Sequence, residues 1–132
     1  MDAYQKLQWL IVNKALEFLG DEKELAYPNE NIGEKYESME ADPEECDCLY
    51  DAINEIRCSG FESLVEPPWS RHYESSSMAS QLPDGTWVGW TYWYGGGNHG
   101  EPESMPWIND AYDVTCEKEI VEVHKFTKVE SK

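Results

Sequence analysis

Residues 86–103 read TWVGWTYWYGGGNHGEPE, and the first nine of them decide the fold. Three tryptophans and two tyrosines fall within the eight positions 87–94, and three glycines then halt the run. Aromatic side chains suit a pleated, half-buried surface, so 86–94 reads as a strand. Upstream, Pro83-Asp84-Gly85 has the composition of a tight turn, with Gly85 suited to the left-handed position of a three-residue hairpin loop. Residues 71–82, RHYESSSMASQL, then supply the opposing strand.

Alternation puts Trp87, Thr91 and Trp93 on one face and Val88, Trp90, Tyr92 and Tyr94 on the other. A strand this aromatic on both faces belongs in the middle of a sheet. One face can pack on helices. The second is either a self-packed continuation of the core or a set of exposed rings that anchor a partner.

Working outward, residues 2–19 read as a helix. Asp2 and Gln5 have capping-box spacing, Gly20 suits the exit, and Tyr4, Leu7, Ile11, Ala15 and Phe18 form an apolar stripe. Residues 21–41 have weak periodicity, and read as a turn or short helical piece followed by an acidic connection. DPEEC opens a second helix, with Asp42 as cap, Pro43 at the first helical position and Glu45 closing the box. Leu49, Ile53 and Ile56 form its apolar stripe, with Cys46 and Tyr50 alongside, up to Ser59-Gly60. Residues 61–70 form a connector, 104–112 a helical turn, and 119–129, EIVEVHKFTKV, a last strand. The expected architecture is α+β: two N-terminal helices (1–60, acidic) packed on a C-terminal three-stranded antiparallel sheet (61–132). The length of 132 residues makes this a single domain.

Charge is the strongest global signal. The chain carries 27 acidic and 10 basic residues, a net charge of −17. Residues 1–20 are neutral, whereas 21–55 hold 13 acidic residues and two basic ones. Such a field repels nucleic acid and anionic membranes and attracts basic protein surfaces. It is equally the field of a protein that is merely soluble or lives in salt. No apolar run approaches the roughly 20 residues that span a bilayer. The N-terminal MDAYQKLQW lacks the basic and apolar regions of a signal peptide, so export is not expected and the four cysteines are expected to be reduced.

Two groups of residues carry candidate chemistry. Glu37, Glu40, Glu44, Asp47, Asp51 and Glu55 line an acidic face opposite the apolar stripe of the second helix. Carboxylates every turn lie about 5 Å apart along the axis, comparable with the phosphates of a nucleic-acid strand. A basic groove could accept that face, with Trp90, Tyr92 and Tyr94 as aromatic anchors; an ordinary solvated helix face reads the same way. The second group is His72, Glu74, His99 and Glu101, with Arg71, Tyr73 and Glu103 nearby, at the end of the hairpin. They compose either an acid–base or metal cluster or a polar network that fixes loop to strand. There is no HExxH, nucleophile elbow or paired CxxC, and GGGNHG lacks the ending of a phosphate-binding loop. No cofactor and no metal are expected.

The segment 67–103, PPWSRHYESSSMASQLPDGTWVGWTYWYGGGNHGEPE, resembles a pattern shared by small acidic proteins of bacteriophages and other mobile elements. SRHYE (70–74), PDGTWVGWTYWYGGG (83–97), HGEPE (99–103) and the acidic DAYD (110–113) carry the likeness, which spans 67–113. It transfers no catalytic residue. It implies a bacterial host cytoplasm and an anti-defence role, since anti-restriction and anti-CRISPR proteins of this size and charge commonly occupy the basic channel of a nuclease. The resemblance to those inhibitors is in size and charge, not in sequence. The expected function is therefore a non-enzymatic inhibitor that mimics nucleic acid. Its partner would be the basic surface of a host nucleic-acid-binding or nuclease protein, with no direct contact to nucleic acid or membrane. The alternative is a small enzyme or ligand-binding protein with its site at the hairpin end. A third reading is an adaptor whose aromatic sheet face forms a homodimer.

Overall fold

A computed structural model describes residues 1–21, 23–118 and 122–130. It is an α+β fold of three helices followed by a four-stranded antiparallel sheet, one helix and one strand more than expected. The helices are α1 (Ala3–Phe18), α2 (Ile32–Ala41) and α3 (Cys46–Arg57). The strands are β1 (Phe61–Glu62), β2 (Glu74–Gln81), β3 (Trp87–Tyr94) and β4 (Tyr112–Val114), hydrogen-bonded in that order.

Helix α1 is the hub. The Asp2 carboxylate accepts from the Gln5 N–H at 2.8 Å while the Gln5 side chain accepts from the Asp2 N–H at 3.0 Å, so the capping box forms as read. Leu7, Ile11, Val12 and Ala15 are fully buried. Tyr4 and Phe18, at the ends of the expected stripe, are instead exposed. Trp9 pins the chain beyond α1: its indole N–H donates to the Ala26 carbonyl at 3.1 Å and its ring stands edge-on to Tyr27.

The additional helix, α2, buries only Ile32 and Met39, seven residues apart on one face, with Tyr36 half-buried between them. Two large apolar residues in an acidic stretch containing Gly33 make too faint a stripe to read. Asp42 caps the turn that leads into the next helix, accepting from the Glu44 and Glu45 N–H groups at 2.7 and 3.2 Å, whereas the N-cap of the helix itself is Glu45, without a side-chain cap. Residues 43–45 form a turn rather than α-helix, so α3 begins at Cys46. Leu49, Ala52 and Ile56 face the core; Tyr50 points to solvent.

The hairpin forms in the expected register, with Ser77 opposite Thr91 and Gln81 opposite Trp87. Its loop closes through the Leu82 N–H to the Thr86 carbonyl at 2.8 Å, with Gly85 at φ 90°. β3 is central, as its composition required. The strand on its far side is Tyr112–Val114, not 119–129. Gly89 explains that choice: Tyr112 lies opposite it, and a β-carbon at 89 would fall 2.5 Å from the Tyr112 ring. Of the expected last strand, 119–121 lie outside the described residues, and 122–129 run without regular structure and exposed. The connector begins with β1, paired to β2 through Phe61–Ala79 and Glu62–Met78. Within 104–112, expected as a helical turn, the chain makes one turn, closed by the Ala111 N–H to the Ile108 carbonyl at 3.2 Å, and a separate 3-10 turn precedes it at Pro102–Ser104.

Val88 and Trp90 of β3 join the helices in one core, closed from the far side by Trp107, whose ring lies 6.1 Å from that of Trp90. The opposite face is also largely covered. Ser77, Ala79, Thr91 and Trp93 are buried there, and Ser77 Oγ, Trp93 Nε1 and the Tyr112 hydroxyl are enclosed without a hydrogen-bond partner among the described residues. No helix among the described residues is long and apolar enough to cross a membrane.

Candidate functional site

Arg57, in the last turn of α3, joins the helical half to the hairpin. Its guanidinium donates to the Trp93 carbonyl and lies 4.8 Å from the centre of the Tyr92 ring, while its own carbonyl accepts from the Trp90 indole at 3.2 Å. Tyr92 in turn stacks on Tyr94, with centroids 5.6 Å apart and planes 20° from parallel. One buried arginine thus lashes three residues of β3 to the end of the acidic helix. Of the stacked pair, Tyr92 is half-buried and Tyr94 exposed. Trp90, expected among the anchors, is corrected here: it is completely buried in the core and offers nothing to a partner.

The six carboxylates fall on two helices rather than one. Glu37 and Glu40 belong to α2, Glu44 to the turn that leads into α3, and Asp47, Asp51 and Glu55 to α3 itself. All six are exposed. Among the described residues the ion pairs are Lys6–Asp113 and Lys14–Glu17, so none of the six has a cationic partner there. Asp47 sits in the first turn of α3, where the helix dipole favours it; Glu55 lies near the opposite end, where the dipole does not. Asp51 and Glu55 line one wall of a groove completed by Phe18, Asn54, Cys58 and Ser59. The Glu40 carboxylate has one further effect inside the fold. With burial as the larger cause, it helps push the Tyr36 hydroxyl up to about 12.

At the hairpin end the geometry belongs to a tyrosine. The Tyr73 ring packs against Gly96, where a β-carbon would fall 2.6 Å from it, and its hydroxyl accepts from the Glu101 N–H at 3.1 Å. Gly95, Gly96 and Gly97 all have left-handed backbones, so the triple glycine is what lets the loop fold back over Tyr73. His72 and His99 are both exposed, and neither imidazole makes a hydrogen bond among the described residues. Glu74 and Glu101 are exposed as well, and the link to Glu101 is through its backbone. Among the described residues, no three His, Cys, Asp or Glu side chains are grouped to hold a metal ion. The four cysteines are free thiols.

The sequence places Tyr73 beside His72 and Glu74 in the alternative site at the hairpin end, and gives Arg57 no signal. A buried arginine at the end of an amphipathic helix carries no local signature; its partners are 33 to 36 residues away. Comparison with family models, with curated proteins and with solved structures finds no match for this chain.

Proposed function

We propose that the chain is a non-enzymatic interaction protein that binds a basic, nucleic-acid-binding protein surface through the carboxylates of residues 37–55. The observation that carries this reading is that six exposed carboxylates, none with a cationic partner among the described residues, lie in the most acidic third of a chain of net charge −17. Like charges held on consecutive helices repel one another, and a cationic groove relieves that repulsion. Tyr94, with Tyr92 beneath it, supplies an aromatic edge next to the C-terminal turn of α3. Likeness to small acidic proteins of bacteriophages suggests a host defence nuclease as the partner, in the bacterial cytoplasm.

The experiment is competition. The protein is titrated against labelled DNA bound to a basic nuclease complex, at rising salt. Displacement that weakens steeply with salt supports mimicry, since contacts that replace phosphates release the same counterions. Displacement indifferent to salt refutes it. Asp47→Lys, Asp51→Lys and Glu55→Lys together should abolish competition with the helical circular dichroism unchanged, because these side chains are exposed and have no ion-pair partner among the described residues. His72→Asn with His99→Asn should leave competition intact. Loss of activity in that pair alone would transfer the site to the hairpin end.

A further inference from the structure

Gln8, in α1, is a buried polar side chain that nothing in the fold uses. It is only 3% exposed, yet its side-chain amide makes no hydrogen bond among the described residues. The amide is not fully enclosed, so the sliver of exposure that Gln8 keeps lies there. It opens into a groove of about 360 Å³ between the N-terminal turns of α1 and α2. A buried amide left unsatisfied costs about 1–3 kcal/mol, so a polar group placed here suits a ligand better than it suits the core.

The walls of the groove are acidic. Glu30, Glu34 and Glu37 line it, all three exposed and without a cationic partner among the described residues. Glu34 and Glu37 are three residues apart and therefore neighbours on one face of α2. Asp2 also borders the groove, but its carboxylate is committed to the cap of α1. Gln8 Oε1 lies against Gly33 on the floor, where a β-carbon would stand 3.7 Å from it. Tyr4, exposed, supplies an aromatic wall.

We infer that this groove receives an arginine side chain of the partner, an inference that rests on the acidic-surface function proposed above and names what one part of that surface grips. Three carboxylates require a cation. Among the described residues no three His, Cys, Asp or Glu side chains are grouped to hold a metal ion, so the cation is organic. Acceptors on α2 and on the floor surround the cavity from different sides, which matches the planar fork of a guanidinium and not the compact, strongly hydrated ammonium of lysine. The guanidinium donates to Glu34, Glu37 and Gln8 Oε1, and its face is offered to the Tyr4 ring. Gln8 adds what the open row of carboxylates on α3 lacks, a neutral acceptor that fixes direction. Arginine is also the residue with which nucleic-acid-binding surfaces hold phosphate, so a mimic gains by capturing it.

NMR titration of the full chain with N-acetyl-arginine methylamide tests this, with the uncharged citrulline analogue as control. The expected result is a saturable response centred on the Gln8 side-chain amide and the Gly33 and Glu34 N–H groups, weaker with the lysine analogue and absent with citrulline. Glu34→Gln with Glu37→Gln should weaken binding at least about tenfold, a change of about 1.4 kcal/mol. Both side chains are exposed, so the variant should fold. Gln8→Leu should also weaken binding without lowering the thermal midpoint, because no hydrogen bond within the fold is lost. No response, an equal response to citrulline, or shifts spread evenly over residues 40–55 overturns the proposal. So does a Gln8→Leu variant that binds normally and melts earlier, since Gln8 is then structural. Displacement of DNA without a response to arginine removes the groove and leaves the acidic surface standing; a localised response without displacement supports the groove and removes the nucleic-acid-binding partner.

Discussion

Replacing Arg57 with methionine isolates the joint between the acidic helix and the hairpin. The substitution keeps the length of the side chain and removes two interactions. The charge-assisted hydrogen bond to the Trp93 carbonyl is worth about 1.5–3 kcal/mol. The guanidinium over the Tyr92 ring adds about 0.5–2 kcal/mol, toward the upper end because Arg57 is buried. The two share one group and do not add fully, so the expected loss is about 2–4 kcal/mol. Against a total near 5–15 kcal/mol for a domain of this kind, the variant should still fold. Urea unfolding followed by tryptophan fluorescence should show a lower midpoint with an unchanged slope. A double-mutant cycle with Tyr92→Leu should return a coupling of about 0.5–2 kcal/mol. A loss below about 0.5 kcal/mol, within the range of an ordinary surface change, would refute the view that this arginine holds the two halves together.

Gly89→Ala should cost about 1–3 kcal/mol, since the new methyl meets the Tyr112 ring and the ring must leave. Hydrogen exchange should report the loss at Tyr112–Val114 before the β2–β3 ladder weakens. Tyr36 makes stability sensitive to alkali: the unfolded hydroxyl ionises near 10.0 and the folded one near about 12, so stability falls as pH rises between those values. Because Tyr36 is half-exposed the fall is on the order of 1 kcal/mol, and Tyr36→Phe should remove that component while leaving neutral-pH stability within about 1 kcal/mol.

Elements whose signals are local were legible. The capping box of α1, the stripe of α3 and the hairpin around Pro83-Asp84-Gly85 each rest on residues within a few positions of one another. β4 was not legible, because what selects Tyr112–Val114 over 119–129 is the missing side chain of Gly89, some twenty residues earlier. Periodicity alone favoured EIVEVHKFTKV, and it could not weigh a ring that needs a glycine opposite. α2 escaped because Ile32 and Met39 are two apolar residues in an acidic stretch. At the candidate site, the exposure of the carboxylates was readable from amphipathicity. Their division between two helices was not, nor was the burial of Trp90, since alternation assigns a residue to a face without saying how far along that face the helices reach.

The ion pair between Lys6 and Asp113, 2.7 Å long and 107 residues apart in sequence, has a consequence for how the molecule is made. Lys6 leaves the ribosome well before Asp113, and at about 5–20 residues per second the interval is several seconds or more. The hairpin can close within microseconds of its own emergence. Helix α1 cannot settle so early, because Leu7, Ile11, Val12 and Ala15 pack against α3 and the sheet that follow. Helix α1 is therefore shielded in stages, first by α2 and α3, which are complete once Arg57 has emerged, and last by the sheet. Until α3 arrives the nascent chain presents a greasy helix to the cell, a natural target for chaperones, and the Lys6–Asp113 pair closes over a helix already largely covered.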